Sequence, residues 1–195
     1  MINNIENLKK IGFDTLKIFN SNCWIAGGAI SDFFLGRERA DLDIFFPNQV
    51  SQKAAIEKFI SMGAKLIREY PLGSKLEFEG EIYDLVHLGN SPEQTISRFD
   101  YSICCAAIDK DGNFYCHENY FEHIGNKEIH YIGNHPNINF KNKSKRLQGY
   151  INKGFCIKSK QLVKWLDRLI KDQNRLRNKK KIHITEFKIT KTKIN

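Results

Sequence analysis

No apolar run in this sequence approaches the ~18 residues that a membrane-spanning helix requires. The first ten residues, Met1 to Lys10, are polar and carry no secretory h-region. The expectation is a cytoplasmic chain with no membrane partner. Paired, spaced cysteines are missing as well. The five cysteines are odd in number and two of them, Cys104 and Cys105, are adjacent, which excludes a secreted disulfide scaffold. Neither CxxC nor HxxxH spacing occurs. Cys116, His117, His123, His130 and His135 therefore read as small buried or loop residues rather than as a zinc site. Internal repeats are absent too. What is present is an apolar fraction of 41% in 195 residues, enough for one domain with a real core, or one domain plus an appendage.

Charge divides the chain more sharply than composition does. The formal net charge is +9. Residues 1–140 hold 13 Lys and Arg against 19 Asp and Glu, hence −6; residues 141–195 hold 18 against 3, hence +15. The basic end reads as a place to hold a polyanion, the acidic part as the place for chemistry.

The hydrophobic pattern predicts a helix over residues 4–20, a buried strand at Cys23 to Ala26 running into Gly27-Gly28, and a short helix from Ala29 to Leu35. A strand at Leu42 to Phe46 and a helix at Ser51 to Met62, with Ser51 as N-cap, come next. Strands are then expected at Lys65 to Glu69, Lys75 to Glu79 and Glu81 to Leu88, the last two joined by a Glu79-Gly80 turn. Pro92 to Phe99 reads as helix, Ser102 to Ile108 and Phe114 to Cys116 as strands around an Asp111-Gly112 turn, and Asn119 to Lys127 as a small helix or loop. Basic helices follow at Lys143 to Lys153 and Lys158 to Arg177, the second with Leu162, Trp165, Leu166, Leu169 and Leu176 on one side. The fold class is α/β (α+β) with a small mixed sheet. The expected organisation is a head domain over 1–138, a helical neck-like region over 139–178 and a basic tail over 179–195.

Two features between Trp24 and Phe46 make chemical sense together. Gly27-Gly28 joins a strand to a helix, where glycine lets the backbone approach a phosphate chain and the helix start offers free N–H groups. Asp41-Leu42-Asp43 opens an apolar strand, and alternation puts both carboxylates on one face. Such a pair repels unless a cation sits between them. Hard oxygen ligands with open positions suit Mg²⁺, completed by substrate phosphates, and two metals can serve the attacking and leaving oxygens. Asp84 lies within the hydrophobic run Ile82-Tyr83-Asp84-Leu85-Val86. A buried carboxylate needs a cation or a turn, and Asp84 completes the site if its strand lies beside that of Asp41 and Asp43.

The run Gly-Gly-x-Ile-x-Asp-x-x-Leu-Gly-x-x-x-x-Asp-Leu-Asp, carried here by Gly27, Gly28, Ile30, Asp32, Leu35, Gly36, Asp41 and Asp43, resembles the head-domain signature of class II CCA-adding enzymes and bacterial poly(A) polymerases, within the polymerase-β-like nucleotidyltransferase superfamily. Arg98-Phe99-Asp100-Tyr101-Ser102-Ile103 resembles that family's ribose-placing stretch, and Arg146-Leu147 with Tyr150 and Lys153-Gly154-Phe155 resembles its first neck helix. The resemblance covers about residues 20–157. It implies helices packed on a small sheet and two Mg²⁺ ions on Asp41, Asp43 and Asp84. It also implies an NTP (ATP favoured, CTP possible) contacted by Gly27, Gly28, Ser31, Asp32, Arg98, Asp100 and Arg146.

This sequence departs from the pattern in places. Ser31 stands where the family usually has Arg, Phe99 where it has a second Arg, and Cys104 where it has Asn. Of the neck's nucleotide-reading Glu-Asp-x-x-Arg, the run Asn142-Lys143-Ser144-Lys145-Arg146 keeps only the Arg. The chain also ends well before the family's tRNA-clasping body and tail. The expectation is a Mg²⁺-dependent transfer of NMP from NTP to an acceptor, an RNA 3′ end, with pyrophosphate released. Lys145, Lys153, Lys164, Arg168, Arg175 and Arg177 would supply RNA backbone contacts. The alternatives are a nucleotidyltransferase that modifies a protein or small molecule, and a catalytically inactive RNA-binding relative. A protein partner or a second copy of the chain stays open.

Overall fold

Trp24, Ile25 and Ala26 are buried, as expected of a strand with neighbours on both sides. In the computed structural model, which describes residues 11–132 and 140–174, they form β1 (Trp24–Ala26) near the middle of a mixed sheet. β2 (Leu42–Phe45) and β6 (Ala106–Asp109) flank it, both antiparallel. Beyond β6 lies β7 (Phe114–Cys116); beyond β2 lie β5 (Glu81–Val86), β4 (Gly73–Phe78) and β3 (Lys65–Tyr70). Among the described residues the one parallel pairing is β2 with β5. A parallel pair needs a long crossover. Here that crossover contains the helix Gln49–Ser61 and the first two strands of a β3-β4-β5 meander. The mixed α+β class read from the sequence is the class observed.

The short helices are α1 (Phe13–Leu16), α2 (Gly28–Phe34), α4 (Pro92–Ile96) and α5 (Tyr120–Gly125), with α3 the Gln49–Ser61 crossover helix. Aromatic rings tie α3 to the sheet. Phe59 stacks on Phe19 at 5.1 Å and meets Tyr83 edge-on at 5.1 Å, while Phe19 meets Phe46 at 5.3 Å. Such contacts suit rings whose faces are negative and edges positive. At the far end of the sheet Phe34 of α2 contacts Phe114, Tyr120 and Phe121.

Three local expectations change. The α3 cap is Asn48, whose side chain accepts from the Ser51 N–H at 2.8 Å; Ser51 lies inside the helix as the residue being capped. The apolar run from Ser102 does not begin a strand. Ser102–Cys104 is a 3-10 turn, and the strand starts only at Ala106. The turn is held from outside, since Ser102 N–H donates to the His130 carbonyl and Ser102 Oγ lies 2.7 Å from His123 Nδ1. Of the expected helix over 4–20, Ile11 is helical, Gly12 in the left-handed region interrupts the run and α1 follows; residues 1–10 lie outside the described residues.

The chain divides into two compact units, residues 1–135 and 136–195. In the second unit α6 (Phe140–Asn152) precedes a helix, α7, over 159–174. Lys143 is buried and its ammonium pairs with Asp172 at 2.6 Å; Arg168 Nε reaches the other Asp172 oxygen at 3.4 Å. Of the apolar side predicted for α7, Trp165 and Leu169 are buried while Leu162 and Leu166 are exposed; Leu176 lies outside the described residues. No helix among the described residues is long and apolar enough to cross a membrane.

Thr95 of α4 fastens that helix to the sheet. Fully buried, its hydroxyl donates to the Leu88 carbonyl at 2.7 Å and accepts from the Trp24 indole N–H at 3.2 Å. Thr95→Val keeps the shape and strands both partners. It is expected to cost about 1–3 kcal/mol, the penalty of unsatisfied buried groups. At about 2–4 °C per kcal/mol for a chain of this size, thermal melts resolve that loss. An unchanged melting temperature would refute the anchoring role.

Candidate functional site

The parallel pairing of β2 and β5 is in register at Asp43 and Asp84. In-register partners on neighbouring strands project to the same face, so the two carboxylates stand side by side. Asp41 precedes Asp43 by one alternation, and the intervening Leu42 and following Ile44 are fully buried on the opposite face. The strand bearing Asp84 thus does lie beside that of Asp41 and Asp43.

A second pairing brings a cation to them. β4 runs antiparallel to β5 and sets Lys75 opposite Asp84. Lys75 Nζ lies 2.8 Å from Asp41 Oδ2 and 3.7 Å from Asp84 Oδ2. At the end of the β3-β4 hairpin Tyr70 pairs with Gly73, and its hydroxyl donates to Asp84 Oδ1. The tyrosine takes this path because residue 73 has no side chain. A Cβ there would stand 2.5 Å from the Tyr70 oxygen and 2.8 Å from the Leu85 carbonyl.

The electrostatics follow from this crowding. Burial raises the Asp84 carboxyl above its ordinary range, and the Tyr70 hydroxyl and the Lys75 charge only partly offset it. Burial opposes the Lys75 ammonium, yet the hydrogen bond and charge of Asp41 and the charges of Asp84 and Asp43 hold it above its ordinary value. Burial, the hydrogen bond to Asp84 and all three carboxylate charges push the Tyr70 phenol far upward. Both donors therefore feel all three acids. Among the described residues no group of three or more His, Cys, Asp and Glu side chains is arranged to hold a metal ion. The cation these carboxylates meet is Lys75.

The β1-α2 turn borders the same place. Gly27 adopts φ 94°, ψ −138°, a conformation that side chains resist. A Cβ on it would lie 3.6 Å from Asp43 Oδ2 and 3.9 Å from the Phe99 ring. Its N–H is taken by the Ala106 carbonyl at 3.0 Å, whereas Gly28 at the first helical position has open space around its α-carbon. Beside Asp41 opens a cleft of about 690 Å³, bordered by Ala29, Arg37, Glu38, Arg39 and, from the start of β5, Glu81 and Ile82. Small-molecule sites are commonly about 300–1,000 Å³. Arg39 is ion-paired with Glu81. These two arginines fell on unspecified positions of the motif, so the sequence pattern passed over them.

Other expected residues are used differently. Ser31 is buried, donates to the Ile103 carbonyl and lies 3.4 Å from the Tyr120 hydroxyl, which fixes α2 to the 3-10 turn. Asp32 and Asp100 are buried, Arg98 is exposed, and Phe99 packs its ring 5.9 Å from Phe45. Arg146 belongs to the second unit and is half-buried there; Lys145, Lys164 and Arg168 are exposed and Lys153 half-buried. Arg175 and Arg177 lie outside the described residues. His123 stacks on His130 at 3.6 Å, and His130 Nε2 lies 3.2 Å from Glu128, an arrangement that packs α5.

Residues 2–127, well over half of the chain, match the Gabija anti-defense 2 protein family. The chain belongs to that family. The matched span includes Asp41, Asp43, Asp84, Tyr70 and Lys75 and stops short of the second unit. No curated protein matches the chain by sequence. The family member's fold is that of solved enzymes. A tRNA-processing enzyme in an apo form superposes with TM-score 0.60 at 18% identity, over 90% of this chain and 49% of that one. The Bacillus stearothermophilus CCA-adding enzyme in complex with CTP gives 0.58 at 17%, over 78% and 41%. The Thermotoga maritima CCA-adding enzyme complexed with tRNA gives 0.57 at 20%, over 85% and 40%. Such identities establish a shared fold alone. The chain spans less than half the length of each of these enzymes.

Asp84→Asn keeps an acceptor for Tyr70 and removes the charge. With its titration raised by folding, Asp84 contributes stability below the ordinary carboxylate range and loses it as pH rises through the raised value. In metal-free buffer the variant is expected to melt a few degrees above the parent at pH 8 and to lose that advantage at pH 4. Thermal melts at both values decide it; a lower melting point at pH 8 would mean the carboxylate is net favourable.

Proposed function

We propose that this chain is a nucleotidyltransferase that moves NMP from an NTP, ATP favoured and CTP possible, onto an RNA 3′ end with release of pyrophosphate. The observation that carries the reading is the in-register placement of Asp43 and Asp84, with Asp41 on the same face and the Gly27 turn against Asp43. Three clustered acids are electrostatically costly, and a bound divalent cation would offset that cost. The shared fold with CCA-adding enzymes supports the same reading at the level of architecture.

Carboxylate chemistry suits a hard divalent ion. Asp41 and Asp84 already share one cation, Lys75, and carboxylate oxygens are the ligands Mg²⁺ selects. Asp41 and Asp43 would hold it, with Asp84 beside them. When bound, Mg²⁺ would lower the pKa of the acceptor hydroxyl and offset charge on the phosphates. The chain's own residues do the positioning. Gly28 leaves room for the triphosphate at the start of α2, and Arg37, next to the Arg39–Glu81 ion pair in the cleft beside Asp41, would meet its phosphates. That placement compensates for Ser31, whose hydroxyl is spent inside the fold. The basic residues of 141–195, among them Lys145, Lys153, Lys164 and Arg168, would hold an RNA backbone.

The family's name favours a second reading. It ties members to countering a defence called Gabija, so the acceptor would be a protein or small molecule of that defence. Purified chain with Mg²⁺, each labelled NTP and total RNA or protein acceptors separates the two, beside an Asp41→Ala/Asp43→Ala control. Label is expected in RNA. The control should lower it more than about a hundredfold, the scale of losing one charge-stabilising group in an active site. Label on protein would carry the second reading. RNA bound with no incorporation anywhere would leave a non-catalytic binding protein.

A further inference from the structure

Lys75 and Tyr70 belong to no motif in the sequence, yet they complete the carboxylate site. Both oxygens of Asp84 are engaged, Oδ1 by the Tyr70 hydroxyl and Oδ2 by the Lys75 ammonium. The same ammonium holds Asp41 Oδ2 at 2.8 Å. It thus stands between Asp41 and Asp84, while Asp43 directs its Oδ2 to the Gly27 turn. The lysine is brought there by the backbone. Six consecutive β4-β5 pairs, Gly73 with Val86 through Phe78 with Glu81, fix Lys75 opposite Asp84. Its side chain is about one-third exposed, so the ammonium keeps water on one side and avoids the full cost of burial.

We propose that Lys75 is the resident second cation of this site, so that the chain takes a single divalent ion, held by Asp41 and Asp43. The inference rests on the reading of the three acids as a metal site. It departs from the two-ion arrangement that three bare carboxylates would support. A lysine and one divalent ion together balance the three negative charges. Asp84 then serves as a positioning residue: with Tyr70 it holds the ammonium in place rather than ligating metal.

The test counts ions. Mn²⁺ replaces Mg²⁺ as the probe, and free Mn²⁺ is read by electron paramagnetic resonance during titration of the full chain. The parent is expected to bind one ion. Lys75→Met is expected to bind a second, or to bind the first about tenfold more tightly, because a positive charge a few ångströms away has been removed. Lys75→Arg keeps the charge and should retain one ion, and Asp43→Asn should lose it. Circular dichroism and melting temperature establish that each variant folds; if Lys75→Met fails that check, Lys75→Gln replaces it. Two ions in the parent, or a Lys75→Met titration indistinguishable from the parent, overturns the role of Lys75 while leaving the metal site standing. No ion on any variant overturns the metal reading and this inference together.

Discussion

Three carboxylates on two neighbouring strand segments repel one another, and most of what surrounds them answers that repulsion. The register of β2 and β5 puts Asp43 against Asp84, and Asp41 follows on the same face. Like charges this close are unstable without a counter-charge or hydrogen-bond donors. The fold supplies Lys75 and Tyr70 from a single hairpin, and residue 73 must be glycine for the tyrosine to pass. Even with both donors Asp84 is held above its ordinary range. The two donors offset the repulsion only in part.

The sheet is arranged around the same constraint. Every pairing among the described strands is antiparallel except β2 with β5. A hairpin between those two strands would have reversed one of them and moved the acids out of this alignment. Passing the chain through α3 and the β3-β4 hairpin returns β5 in the same direction as β2. It also delivers Lys75 on the way. The aromatic contacts of Phe59 with Phe19 and Tyr83 hold that crossover down, so the packing of α3 is a condition for the site.

What could be read from the sequence was what lies close along it. Gly27-Gly28, Asp41-Leu42-Asp43 and the hydrophobic setting of Asp84 are local signals, and the α+β class follows from alternating periodicities. The partners of the acids were not legible, because Lys75 and Tyr70 are joined to Asp84 by strand register across two turns. Nothing in Lys-Leu-Glu-Phe marks the lysine as internal to a site. The 3-10 turn at Ser102–Cys104 was hidden for a related reason. An apolar run reads as strand, and only the tertiary bonds to His123 and His130 decide otherwise. The α3 cap was missed by three residues because Asn48 and Ser51 are both good capping types, and geometry alone chooses between them.

The departures from the motif gain a physical meaning from the same map. Position 31 faces the interior, where a serine hydroxyl can be satisfied by the Ile103 carbonyl and an arginine would have to leave. Position 99 packs beside Gly27 and Phe45, where a buried ring costs nothing and a buried guanidinium would need a partner. Two positions where the resembled pattern has Arg are packing positions here, while Arg37 and Arg39 line the cleft beside Asp41 and Lys75 sits on the acids. In this chain the positive charge near the acids comes from the segment before β2 and from the β4 strand.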